Sequence, residues 1–126
     1  MSKKILLAED ERAISNTLTN KLNRHEFEVL QALNGQDALK MIKSNKLDLI
    51  LLDLIMPVLN GFEVLEELKK EGKISKIPII VFSNLGQDSD IEKVKAFGVE
   101  DYLVKSDMSL NDVVEKINEV LSRKKK

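Results

Sequence analysis

The chain has 126 residues, 43% of them hydrophobic, which is enough for one ordinary core and too few for two, so a single domain over residues 1–126 is expected. Its 20 basic and 21 acidic side chains leave a formal net charge of -1, which excludes a global field drawing the chain to nucleic acid or to an anionic membrane. Without cysteine, disulfides, thiolate chemistry and cysteine-based zinc sites are excluded, and with no apolar run of membrane-spanning length and no basic-then-apolar leader, a soluble cytoplasmic protein is expected.

Short apolar runs alternate with amphipathic segments, the pattern of repeated strand-helix units in a parallel sheet. Lys4–Glu9 is the first expected strand, and Ile14, Leu18 and Leu22 mark the first helix, with His25 near its end where a cation suits the dipole and no chemistry is assigned to it. The second strand is Phe27–Ala32. Asn34-Gly35 reads as a turn, after which Ala38, Leu39 and Ile42 line a helix ending among Lys43, Ser44 and Asn45. The third strand is Leu49-Ile50-Leu51-Leu52-Asp53, stopped by Pro57. Asn60-Gly61 reads as a plain turn before a helix carrying Val64, Leu65 and Leu68 and ending at Gly72.

Pro78 opens the fourth strand, Ile79-Ile80-Val81-Phe82, which Ser83 and Asn84 interrupt. A fourth helix presents Ile91, Val94 and Phe97 and stops at Gly98. Asp101–Val104 is the fifth strand, followed by Lys105. Ser109-Leu110-Asn111-Asp112 resembles a capping box opening a last helix striped by Leu110, Val113, Val114, Ile117, Val120 and Leu121, and the basic end Ser122–Lys126 reads as a solvated terminus. The fold class that follows is α/β: an open, doubly wound, five-stranded parallel sheet with five helices in three layers.

Asp53 closes a run apolar on both faces, and a carboxylate there needs a cation or donor. In such sheets the C-terminal strand edge is where ligands bind. The other strands end there too: the first in Glu9-Asp10, the fourth in Ser83-Asn84, the fifth in Lys105. Three converging carboxylates repel one another unless a divalent cation neutralises them, and all-oxygen ligands point to magnesium, with manganese as the alternative. Lys105 and the Ser83 hydroxyl supply the charge and donor that phosphate oxygens require. Taken singly, Glu9 and Asp10 read as acids at a helix N-terminus, Ser83 as a strand-end hydroxyl and Lys105 as a solvated surface lysine; only together do they point to a site.

Glu9-Asp10, Leu52-Asp53-Leu54-Ile55-Met56-Pro57 with Gly61, Ser83, Tyr102 and Lys105, in that order, resemble the receiver domain of two-component response regulators, over the whole chain. The resemblance implies a flavodoxin-like sandwich with strand order 2-1-3-4-5. It implies that Asp53 is the phospho-acceptor, taking a phosphoryl group from a kinase phosphohistidine. By the same resemblance Asp10 is the direct magnesium ligand, Glu9 acts through water, and the Ile55 backbone carbonyl completes the set. Ser83 is then the switch hydroxyl, Lys105 the family's cation and Tyr102 the switch aromatic, although Tyr102 reads equally as a half-buried strand residue.

The implied partners are a sensor histidine kinase or phosphotransfer protein and a downstream protein target. That target would be engaged through the helix 4–strand 5–helix 5 face, with no direct nucleic acid or membrane contact, by a monomer or a phosphorylation-induced dimer. The chain is then a stand-alone signalling module that assists its own phosphoryl transfer, not an enzyme in the ordinary sense. A pseudo-receiver that binds partners without phosphorylation is the alternative; a magnesium-dependent aspartyl phosphohydrolase would want a second Asp where Ile55 stands.

Two departures from the family pattern carry expectations. Ser106 follows Lys105 where receivers commonly have a cis proline, and a cis bond before a non-proline residue costs about 2.5–4 kcal/mol, so a trans bond and an altered loop path are expected. Ile55 and Leu85 are apolar at positions that could hold a hydrolytic water, and Asn84 is larger than the residue usual there, so slow self-dephosphorylation is expected.

Overall fold

The structure is a computed structural model and describes residues 2–74 and 76–123. Its elements in chain order are β1 (Lys4–Ala8), α1 (Arg12–Arg24), β2 (Glu28–Ala32), α2 (Gly35–Ser44), β3 (Leu49–Leu52), α3 (Gly61–Lys70), β4 (Ile79–Ser83), α4 (Asp88–Lys95), β5 (Asp101–Val104), a 3-10 turn (Lys105–Asp107) and α5 (Leu110–Arg123). The five strands are all parallel in the order β2-β1-β3-β4-β5, the doubly wound arrangement expected.

Every strand residue of β1, β3 and β4 except Lys4 is buried, because helices cover both faces of the sheet. The strand period of two sorts these residues. Leu6, Ala8, Ile50, Leu52, Ile79 and Val81 pack with α2, α3 and α4 through Ala38, Ile42, Val64, Leu65, Leu68 and Val94. Ile5, Leu7, Leu49, Leu51, Ile80 and Phe82 pack instead with α1 and α5 through Leu18, Leu22, Val113, Ile117 and Val120. A run apolar at every position is therefore two alternating stripes, one for each core.

Several expected boundaries shift for local reasons. Glu9 leaves β1, although its N–H still donates to the Ala32 carbonyl at 3.0 Å. Phe27 belongs to the close of α1: Glu26 takes a left-handed φ of 69° and the Phe27 N–H returns to the Leu22 carbonyl. Asn34 is the N-cap of α2, its side chain accepting from the Asp37 N–H at 2.8 Å, so the residues read as a turn begin a helix. Phe97 lies beyond α4, where its N–H bonds the Val94 carbonyl and Gly98 takes a φ of 91°. In α5 the Ser109 and Asp112 pair forms the expected reciprocal box, but Leu110 is exposed because it sits in the first turn, ahead of the covered stripe. Of the basic end, residues 124–126 lie outside the described residues.

Candidate functional site at the C-terminal edge of the sheet

Register brings the acidic residues together. β1 and β3 pair from Ile5 with Leu49 to Ala8 with Leu52, so the residues that follow, Glu9 and Asp53, leave adjacent strands side by side. The Asp53 N–H still donates to the Ala8 carbonyl at 3.0 Å, which extends the pairing by one residue. On the other side β4 pairs Ser83 with Val104, so Asn84 and Lys105 leave their strands together. The result is a cleft of about 220 Å³ lined by Glu9, Asp10, Glu11, Asp53, Ile55, Asn84 and Lys105.

Asp53 is 4% exposed and Glu9 1%. Burial at this depth demands partners, and both carboxylates have them. Asp53 accepts the Ile55 N–H on Oδ1 at 3.1 Å and the Lys105 ammonium on Oδ2 at 2.8 Å. Glu9 accepts the Glu11 N–H on Oε2 and forms an ion pair with the same Lys105 through Oε1. Lys105 thus bridges two carboxylates, with its Nζ 5.7 Å from the centre of the Phe82 ring.

Titration follows from this crowding. Burial raises the Glu9 carboxyl above its usual value and the neighbouring Asp53 charge adds to the rise, while Lys105 opposes it. For Lys105, burial works against the charge, but the bonds to Asp53 and Glu9 outweigh it and hold the ammonium above its usual value.

One oxygen from each of Glu9, Asp10 and Asp53 lies within 4.8 Å of the others. Glu9, Asp10 and Asp53 thus set three carboxylates against the single ammonium of Lys105. Hard oxygen donors at this spacing suit a magnesium-sized ion, so the residues fit the group that their pattern implies.

Ser83 lies apart from the cleft lining. It is wholly buried at the end of β4, where its hydroxyl accepts the Leu85 N–H at 3.4 Å. Tyr102, paired with Val81 in the sheet, donates its hydroxyl to the Leu85 carbonyl. Burial raises the Tyr102 phenol, with Asp90 and Asp53 adding to the effect. Leu85 therefore ties the candidate switch hydroxyl to the candidate switch aromatic through its own peptide groups.

The Lys105–Ser106 bond is trans, as expected, no cis bond occurring among the described residues. Instead of a cis proline, a 3-10 turn carries the chain away, anchored where the Ser106 N–H donates to Asn84 Oδ1 at 3.1 Å. This second task of Asn84 was not legible in the sequence, since it depends on β4 and β5 ending level.

Gly61 does more than form a turn. A Cβ there would stand 2.4 Å from the Asp53 carbonyl oxygen and 2.7 Å from Leu54 Cα, so only glycine lets α3 start against the end of β3. Asn60 caps that helix by accepting from the Glu63 N–H, and the Glu63 side chain accepts the Asn60 N–H in return. What reads as a plain turn is a capping box that braces the segment beside Asp53.

A sheet of this order with an acidic cleft and a bridging lysine at its C-terminal edge defines a receiver-type fold. The chain belongs to the response regulator receiver domain family, whose model matches residues 5–118. Among curated proteins it is similar to Protein PilH of Pseudomonas aeruginosa, 34% identical over 119 residues that cover 94% of this chain and 98% of that protein. It spans about half the length of other curated relatives, such as the probable transcriptional regulator ycf27 of Porphyridium aerugineum, 37% identical over 95% of this chain and 48% of that protein.

Among solved structures, the receiver domain of the Francisella response regulator 1452 superposes with a TM-score of 0.89 at 30% identity, covering 98% of this chain and 100% of that one. The response regulator TrrA of Thermotoga maritima, in complex with Mg2+ and BeF, superposes at 0.79 with 31% identity, covering 93% and 97%. Receiver domains are phosphoryl-accepting signalling modules of two-component systems that bind magnesium in an acidic pocket.

Proposed function

We propose that Asp53 is the phospho-acceptor of this chain and that its phosphorylation switches affinity for a protein partner. The supporting observation is the position of Asp53: at the end of β3, bonded to Lys105, and within metal-binding distance of Glu9 and Asp10. An Asp53 carboxylate oxygen attacks the phosphorus of a kinase or phosphotransfer phosphohistidine; the new O–P bond forms as the P–N bond breaks, and the imidazole leaves with the electron pair. Lys105 pairs with the phosphoryl oxygens once they replace its present partners. Asp10 and Asp53, with Glu9 through water and the Ile55 carbonyl, would hold the magnesium, which supplies charge neutralisation at the transferring group. The complex of TrrA with Mg2+ and BeF, at 31% identity, supports this assignment.

The Ser83 hydroxyl turns from the Leu85 N–H to the phosphoryl group, releasing the segment whose carbonyl Tyr102 holds. The ring then reports to the face of α4, β5 and α5, a two-state element biased by phosphorylation. Ile55, at the lip of the cleft, and Leu85 offer no group to position water, so the acyl phosphate is long-lived.

The test is incubation with magnesium and a small acyl-phosphate donor, followed by intact mass. One added phosphoryl mass is expected in the wild type and none in Asp53→Asn. A wild type that gains nothing would favour a pseudo-receiver.

A further inference from the structure

Two surface grooves flank α3, and they differ in charge logic. The groove between α2 and α3, about 420 Å³, is lined by Lys40 and Lys43 together with Glu63, Glu66 and Glu67, so its acids outnumber its lysines. Between α3 and α4 lie two hollows of about 490 and 210 Å³ that share Lys69 and Phe97. Their floor is Phe97 and Ala96, and their rim carries Lys69, Lys70 and Lys93 against the single carboxylate of Glu66.

The lysines are poised in an unusual way. Lys69 Nζ stands 5.7 Å from the Phe97 ring centre and Lys93 Nζ 4.6 Å from that of Phe62. Among the described residues neither has a carboxylate within 4.0 Å, whereas Lys70 is paired with Glu67. In a chain with more acidic than basic residues, two cations resting on aromatic faces beside an apolar floor are an incomplete set. The complement is an apolar side chain with carboxylates on either side of it.

We infer that the α3–α4 groove docks an acidic protein segment, seating an apolar or aromatic side chain on Phe97 and pairing its flanking carboxylates with Lys69 and Lys93. The groove shares no lining residue with the Asp53 cleft, so the inference goes beyond the phosphorylation reading. α4 brings only one buried residue, Val94, to the core, where each of the other α-helices brings three or more, so an occupant bridging α3 and α4 adds packing to the helix that has least. Nucleic acid fits poorly, because the floor is apolar and Glu66 stands on the rim.

The probe is a short fluorescein-labelled peptide with a central phenylalanine flanked by glutamates, titrated into the full chain at low salt without phosphoryl donor. A rise in anisotropy is expected, with amide shifts confined to the C-terminal half of α3, to α4 and to Phe97. The charge reversal Lys69→Glu with Lys93→Glu, both exposed, is expected to weaken binding about tenfold or more. Added salt should weaken it further, and the same peptide with lysines for glutamates should bind the reversed chain better than the wild type. Absence of binding, shifts elsewhere, or equal binding by the reversed chain overturns the inference. So does sedimentation showing a second copy on this face, or binding to anionic vesicles without binding to the peptide. No phosphoryl group is involved, so this result and the Asp53 result stand or fall separately.

Discussion

Val58 holds a backbone conformation that β-branched residues rarely adopt. Its φ is 68°, and the Leu59 N–H closes a tight turn onto the Pro57 carbonyl at 2.8 Å, a γ-turn with positive φ at its centre. The strain is held in place by its neighbours. A Cβ on Gly35 would stand 2.0 Å from the Leu59 carbonyl oxygen, and one on Gly61 would strike the Asp53 carbonyl, so the segment after Asp53 is wedged between α2 and β3. Val58 itself is 68% exposed and loses little packing when removed. Val58→Gly is therefore expected to stabilise the fold by about 1 kcal/mol, the relieved strain outweighing the greater freedom of an unfolded glycine. Urea denaturation measures it, and an unchanged or lower midpoint would show that the turn is not strained. At this scale the sequence pointed to Asp53, because a carboxylate stands out in an apolar run. It could not show what Gly61 or Asn84 do, since both act on atoms brought near only by the fold.

Helix starts set the aim of the site. α3 begins at the residue that touches Asp53, and the reciprocal bonds of Asn60 and Glu63, both at 2.9 Å, fix that start. Asn60→Ala removes one bond of the pair and leaves the Glu63 N–H unpartnered, which is expected to cost about 1 kcal/mol in global stability. Because the cap braces the loop, amide exchange of residues 54–61 should quicken by more than exchange in α5; equal changes in both would mean that the cap stabilises the helix without positioning the loop. Elements with a strong stripe, such as α5, were legible from spacing alone. The boundaries of β2 and α4 were not, because a left-handed Glu26 and a helix end before Phe97 are decided by how the chain turns to meet the next strand.

For the molecule as a whole, burial of acids at one edge couples stability to pH, and the magnesium proposed above would couple to the same groups. The folded state raises the Glu9 carboxyl, so it binds that proton more tightly than the unfolded chain does. The contribution is present below the ordinary value of 4.5 and is lost as pH rises through the folded-state value. A divalent cation requires the carboxylate form and reverses the preference. Thermal melts should therefore show a magnesium-induced rise in Tm that grows from pH 4.5 towards neutrality, reaching about 2.7 kcal/mol of linkage at a hundred times the Kd. Glu9→Gln should flatten the cation-free decline. A rise in Tm that is the same at every pH would separate Glu9 from the metal site.

The sequence by itself determined the class of fold, since alternating apolar runs and amphipathic stripes admit only a covered parallel sheet. It also singled out Glu9, Asp10, Asp53, Ser83 and Lys105, because strand ends in such a sheet share one edge whatever the loops do. Only the tertiary structure decided that Lys105 bridges Glu9 and Asp53, that Leu85 links Ser83 to Tyr102, and that Lys69 and Lys93 line one hollow with Phe97. Those facts depend on register and on the approach of helices far apart in the chain, and distances between side chains are not encoded in the local pattern that forms each element.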